Sequence, residues 1–306
     1  MLNYLIRRLY LLIPVVLGVS TLVFLIIHLI PGDPVVLMLG DLAIKADIES
    51  LRGKLGLDKP VYIQYLDFLL NLFRGDLGRS IHTDKPVVQA IGERFPATFE
   101  LAMGGVIISL LISLPLGIVS ALKKDTIIDN CSRFFAFLGI SVPNFWLGPM
   151  LIILFSIKIG ILPVSGRGGI ENLILPSITL GMGMAATVTR MVRASLLEVI
   201  KENYITTARA KGLSESSVVI KHALKNALMP VVTIVGLQLG ALLSGAIITE
   251  TIFSWPGIGS LTIEAINRRD YPMVQGCIFV IAMCYVIVNL ATDLIYGFLD
   301  PRIRYE

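Results

Sequence analysis

Six apolar stretches of helix-spanning length dominate this 306-residue chain: Leu9–Ile30, Leu101–Leu122, Phe134–Ile157, Asn172–Thr189, Asn226–Thr249 and Tyr271–Thr292. A hydrocarbon core of about 30 Å takes roughly 20 residues of helix to cross. Backbone inside lipid must satisfy its own hydrogen bonds, which leaves helices or closed barrels. Barrel strands would be half as long with alternating polarity, a pattern this sequence lacks. Only 16% of residues are charged, against about 25% in a soluble domain. These features predict an all-α integral membrane protein with six transmembrane helices. The fourth stretch is the shortest and is expected to run past Arg190 toward Leu196.

The net charge of +4 matters less than where the basic residues sit. Arg7, Arg8, Lys123, Lys124, Arg133, the seven Lys and Arg from Arg190 to Lys225, and Arg302 and Arg304 all fall on one side of a six-span arrangement. Positive loops stay in the cytoplasm, so both termini are expected on the cytoplasmic side. The run Leu9–Ile30 exceeds the roughly 7–15 residues of a signal-peptide core and ends in PGDP (31–34), so it is read as a retained span. The resulting organisation is an N-terminal span (1–30), an external loop with short helices (31–97), a five-helix core (98–299) containing a cytoplasmic segment (197–226), and a tail (300–306).

In the external loop, QYLDFLLNLFRGDLG (64–78) repeats apolar residues at helical spacing up to Gly75 and Gly78. A long patterned loop of this kind is usually a lid or docking surface. In the cytoplasmic segment, a helix from Leu197 is expected to close at Lys211 with Gly212 as its left-handed cap. Ser214 is placed to cap a second helix, whose positive end Glu215 favours. Val218, Val219, Ala223 and Leu224 give that helix an apolar face beside basic Lys221, His222 and Lys225. Such a helix could lie on anionic lipid or dock into a partner's groove. DNA binding is excluded by the tethering of both ends to the bilayer, and no nucleic-acid partner is expected.

Catalytic chemistry finds no support in the chain. There is no phosphate-binding glycine loop and no H-E-x-x-H. His28, His82 and His222 fall in a span, outside and inside, so they share no metal site. Cys131, Cys277 and Cys284 lack ligand spacing and read as small packing residues. Gly236, Gly240 and Ser244 recur every four residues, the small-residue pattern that lets membrane helices approach closely. Pro115, Pro143 and Pro176 are expected to interrupt or begin spans. Among the few polar groups near spans, His28, Glu250 and Asp293 read as interfacial, whereas Asn144 and Gln238 are candidates for a translocation path.

The stretch TTARAKGLSESSVVIKHALKNALMP (206–230) resembles the loop by which permease subunits of ABC importers meet their ATPases, in the form found in the dipeptide, oligopeptide and nickel branch. Ala208, Gly212 and Leu224 keep that pattern's positions, while Thr206, Thr207, His222 and Lys225 depart from its general form. LGLDKPVYIQY (55–65), GDLGRS (75–80), SVPNFWLG (141–148), ILPSITLG (174–181), FSWPGIG (253–259), RDYP (269–272) and DPRIRY (300–305) are similar to the same family, with dipeptide and glutathione permeases nearest. The resemblance implies a type I ABC importer permease fold. It also implies a homologous second permease, two ATPase subunits that bind ATP and Mg, and an external solute-binding protein. It makes Ser214–Leu224 a coupling helix, with Ala208, Gly212, Ser214, Glu215, Val218, Val219, His222 and Leu224 as coupling residues. No cofactor is expected on this chain itself. Nickel or another small solute is the alternative cargo, and an ATP-independent channel or carrier the alternative class.

Overall fold

The computed structural model describes residues 2–29, 35–36, 44–54, 56–244 and 246–299. The PGDP segment and the tail 300–306 lie outside the described residues. Among the described residues the secondary structure is helical, with one isolated antiparallel bridge between Arg79 and Pro86. The helices are α1 (Leu2–Leu29), α2 (Lys45–Lys54), α3 (Val61–Phe73), α4 (Val87–Leu122), α5 (Ile127–Ser141) and α6 (Asn144–Leu151). They continue as α7 (Ile170–Val199), α8 (Asn203–Ala210), α9 (Glu215–Ser217), α10 (Met229–Leu243), α11 (Ile247–Ile252), α12 (Ile258–Asn267) and α13 (Tyr271–Leu299). α6 runs on into a π-helical stretch at Ile152–Lys158. α9 runs on through a π-helical stretch, Val218–Ala223, into Leu224–Ala227.

Among the described residues three helices, α4, α7 and α13, are long and apolar enough to cross a membrane unbroken, or up to five if each of two bent pairs is one span. The predicted third span is interrupted at Val142 and Pro143, because α5 ends at Ser141 and Pro143 caps α6 with extended backbone. Pro115 and Pro176 leave α4 and α7 continuous, so of the three prolines only Pro143 marks a break. The predicted fifth span starts later than expected. Leu224–Ala227 belongs to the bent segment before it, 52° off α10, and the chain breaks again after Leu243. The fourth span extends as expected, through Leu196 to Val199.

The described residues form two compact units, one within 99–255 and 287–299, the other within 2–98 and 256–286. In the first, α7 is the central helix, with a buried stripe from Leu175 to Leu196. α4 meets it through small residues every four positions: Gly105, Ser109, Ser113 and Gly117 are all buried. A Cβ on Gly117 would lie 2.7 Å from Val192 Cβ, and one on Gly181 would lie 2.8 Å from the Gly105 carbonyl oxygen. The backbones approach as small-residue interfaces in lipid allow. In the second unit, Val87, Ile91, Ile258, Leu261, Met273 and Cys277 form the core. Cys277 is a packing residue as expected, whereas Cys131 is exposed.

Two polar ties hold the second unit, the first buried and the second exposed. The Ser80 hydroxyl donates to Asp270 Oδ2 at 2.5 Å, and His82 Nε2 lies 2.6 Å from the Arg268 carbonyl oxygen. The GDLGRS and RDYP motifs are thus two halves of one junction. Gln275 Nε2 donates to the Val23 carbonyl at 2.9 Å, which makes this in-span amide a tie between α13 and α1.

Candidate functional site

The segment after α7 is built from a local sequence logic. Ile200–Glu202 turns the chain, so the single helix expected from Leu197 to Lys211 is two, α7 and α8. That turn lets Ile205 and Ala208 fold back beneath Leu196. Gly212 follows α8 with φ +76°, the left-handed geometry expected of it. Its amide donates to the Arg209 carbonyl at 2.9 Å. Nothing stands within 4 Å of where its Cβ would be, so backbone conformation alone selects glycine there.

Ser214 sits at the N-cap of α9, but its hydroxyl makes no cap hydrogen bond and instead shares one with Ser216 at 3.3 Å. The turn is closed by charge. Arg209 Nε donates to Glu215 Oε1 at 2.7 Å and Nη2 to Oε2 at 3.3 Å, a two-point pairing across six residues. Farther along, Asn226 Nδ2 donates to the Tyr204 hydroxyl at 2.7 Å.

The apolar face of this element points inward. Val218 and Ala223 are fully buried, and they share one cluster with Leu196, Ile205, Ala208 and Ala227. Val219 is 4% exposed. Val218 and Val219, expected as coupling residues, are thus turned into the chain's own packing. Burying each releases roughly 1.5–3 kcal/mol, and the chain uses them to hold its own turn. His222 and Leu224 are half-buried. The exposed residues of this element include Lys211 to Ser216, Ile220 at 66%, Lys221, Lys225 and Asn226. The π-helical register at Val218–Ala223 shifts the outward face by a residue. Such stretches recur at functional positions, and this one puts Ile220 outward between Val219 and Ala223.

A second cluster stands where α4 ends, α5 begins and α7 passes. The Asp129 carboxylate is fully buried and takes Arg193 Nε at 2.8 Å and Nη2 at 2.7 Å, the Ser120 hydroxyl at 2.5 Å and the Asp125 amide at 3.0 Å. Thr126 caps α5, its hydroxyl accepting from the Asp129 amide at 3.5 Å. Sequence reading missed this cluster. The Thr126-x-x-Asp129 spacing is a helix-start signature that points to it, but nothing in the sequence pairs Asp129 with Arg193.

The other predicted residues divide. Gly236 is a true contact glycine: a Cβ there would overlap the Thr292 side chain. Gly240 is buried, and the Ser244 hydroxyl folds back on the Gly240 carbonyl at 2.8 Å. Asn144 is half-buried at the start of α6, its Oδ1 3.7 Å from where a Gly183 Cβ would lie. Gln238 Oε1 is buried with no hydrogen-bond partner among the described residues. Glu250, read as interfacial, is fully buried. Phe253 and Trp255 are 1% exposed, so the FSWPGIG turn is interior structure and its aromatics offer no docking surface.

Comparison with known proteins places these features in a family. Residues 113–305 match the model for the binding-protein-dependent transport system inner membrane component, and residues 1–102 match that family's N-terminal model. The chain is 43% identical to the dipeptide transport system permease protein DppB of Escherichia coli K12 and 44% identical to the di/tripeptide permease protein DppB of Pseudomonas aeruginosa. It is 45% identical to the glutathione transport system permease protein GsiC of Pectobacterium atrosepticum, and all three matches cover 100% of both chains. Among solved structures, the inward-facing MetNI methionine ABC transporter aligns with a TM-score of 0.58 at 20% identity, over 69% of this chain and 97% of the other. That likeness shows the fold.

Proposed function

The chain belongs to the binding-protein-dependent transport system inner membrane components, and from that premise we propose that it is one permease subunit of an ATP-driven importer of di- and oligopeptides, glutathione included. The observation that carries the cargo class is full-length identity of 43–45% to dipeptide and glutathione permeases. The working assembly pairs this subunit with a second permease, two ATPases and an external binding protein, in the inner membrane with both termini in the cytoplasm.

The exposed tip, Lys211–Ser216 with Ile220 and Lys221, is the part that enters an ATPase groove. Ala208, Val218, Val219 and Ala223 keep the tip rigid from behind, and rigidity is what a lever requires. When the ATPases close on ATP, force on the tip passes through Leu196 into α7. α7 also carries Arg193, so the Asp129 cluster makes α4 and α5 follow. Cargo passes along a path that includes Gln238 and Asn144. On the outer side, the polar loop around Asp76–Lys85 receives the binding protein.

The test is reconstitution of the purified complex in vesicles, with ATP inside and loaded binding protein outside. ATP-dependent uptake of labelled dipeptide or glutathione is expected. Uptake of nickel with neither peptide would replace the cargo class, and uptake without ATP would overturn the assignment to an ATP-driven importer.

A further inference from the structure

The helix α3, read from sequence as part of an external lid, is joined to α1 well inside the apolar run of that first helix. Tyr65 and Thr21 share a hydrogen bond of 2.7 Å, and Phe24 packs against Tyr65 and Phe68 at ring distances of 5.2 and 5.8 Å. Thr21 and Phe24 precede Ile30, the end of the run, by nine and six residues. At 1.5 Å per residue that is roughly 9–13 Å inside its outer end. Thirteen residues of helix reach about 20 Å and cannot span the membrane.

The sides of α3 differ sharply. Tyr62, Leu66, Leu70 and Phe73 recur at i, i+4, i+8 and i+11, and they are 68%, 54%, 54% and 78% exposed. Tyr65 and Phe68 form the flank against α1. Gln64, Asp67 and Asn71 make a polar stripe on the far side, where they line a cavity of about 510 Å³ with Asp76, Arg79 and Gln275. The one charge within the helix, Asp67, is paired with Lys59 at 2.6 Å. The other charges stand at its ends, Asp58 and Lys59 before it and Arg74 and Asp76 after it.

We propose that α3 is a membrane-surface helix whose Tyr62–Leu66–Leu70–Phe73 stripe is seated in the acyl chains of the outer leaflet, anchoring the external loop at a fixed depth. Three observations select lipid as the occupant. The helix meets α1 at Thr21 and Phe24, within the apolar run that the sequence predicts as the first span. α1, against which the helix packs, also exposes apolar side chains beside that contact, Leu22 at 66%. The apolar stripe of α3 and its Gln64–Asp67–Asn71 stripe occupy different faces, the amphipathic division of helices that lie in the interface plane. A binding protein docking from water would meet the polar stripe and the Asp76–Arg79 loop instead.

The test uses the assembled complex with Cys131, Cys277 and Cys284 replaced by alanine. Nitroxide labels are placed at Leu66→Cys, Leu70→Cys and, on the polar stripe, Asn71→Cys, in vesicles of phosphatidylethanolamine and phosphatidylglycerol. Relaxation by oxygen is expected to exceed relaxation by a water-soluble nickel chelate several-fold at 66 and 70, with the reverse at 71. A chelate-accessible signal at 66 and 70 would place the stripe in water. Exclusion of both reagents would place it against a protein subunit. Either outcome overturns the proposal. Should a label at 70 reduce assembly, Phe73→Cys reports the same stripe. No step of this test depends on cargo, so a wrong cargo class leaves it intact.

Discussion

Arg209 and Glu215 stand six residues apart, open to solvent at 40% and 66%, while Ser80 and Asp270 meet across 190 residues in a buried site. The first contact closes a turn whose shape is already set by Gly212 and by the apolar cluster behind it. The second joins two stretches that no local preference would bring together, and closing so large a loop costs entropy that buried contacts must offset. A segment that moves as a lever benefits from the local plan, because its shape survives displacement. A junction between distant chain segments requires the buried plan. Contribution to stability is therefore expected to follow burial, and contribution to coupling to follow exposure.

The largest effect is expected at Asp129. Arg193→Met removes the two-point partner of a buried carboxylate and leaves it only the longer Arg133 contact at 3.5 Å, and breaking such a pair costs up to about 3–5 kcal/mol. The thermal midpoint of the solubilised complex should fall steeply. The double variant Asp129→Asn, Arg193→Met should recover most of the loss, and failure to recover would mean that the pair does not act as a unit.

Next in size is Asp270→Ala, which leaves the Ser80 hydroxyl and the Ile81 amide without their carboxylate acceptor. Hydrogen bonds to a charged group are worth about 1.5–3 kcal/mol each. Hydrogen exchange should rise across residues 76–98 and stay unchanged across 203–227. Matched increases in both regions would erase the contrast drawn between them.

Gly212→Val is smaller in stability, about 1–2 kcal/mol for a left-handed β-branched residue, and large in function. Assembly should persist while stimulated ATPase and vesicle uptake fall together, and Gly212→Asn should stay near wild type. Wild-type uptake by the valine variant would remove the turn from the coupling path.

The smallest stability change is expected for Arg209→Ala, below about 1 kcal/mol for so exposed a pair. Cross-linking from a cysteine at Ser214 to the ATPase should nevertheless weaken in that variant. A large stability loss with unchanged cross-linking would invert the comparison.

How much of this was legible before the structure depended on how local each cause is. Gly212 was readable as a left-handed turn position and Gly75 and Gly78 as the end of a helical pattern, and all three have positive φ. The apolar spacing of α3 and of the segment after Gly212 was readable too. What spacing leaves open is the direction an apolar face takes, because periodicity defines a face and not its neighbour. Val218 and Val219 were assigned outward for that reason. The stripe Gly105–Ser109–Ser113–Gly117 has the same four-residue signature as Gly236–Gly240–Ser244 and was passed over. Both patterns were present, and only packing against α7 shows which buries more backbone.

The sequence by itself determined that this chain is helical, that its apolar runs suit lipid, and to which family it belongs. Those properties follow from composition, 3.6-residue periodicity and motif order, each carried by residues near one another in the chain. Only the tertiary structure decided that Pro143 breaks a span while Pro115 and Pro176 do not, and that Asp129 belongs to Arg193 and Ser80 to Asp270. It alone turned Val218 inward and left Ile220 and the Tyr62–Phe73 stripe facing out. These outcomes depend on which surfaces meet across tens or hundreds of residues. That choice is made by burial and hydrogen-bond satisfaction summed over the packed chain, and no local stretch encodes it.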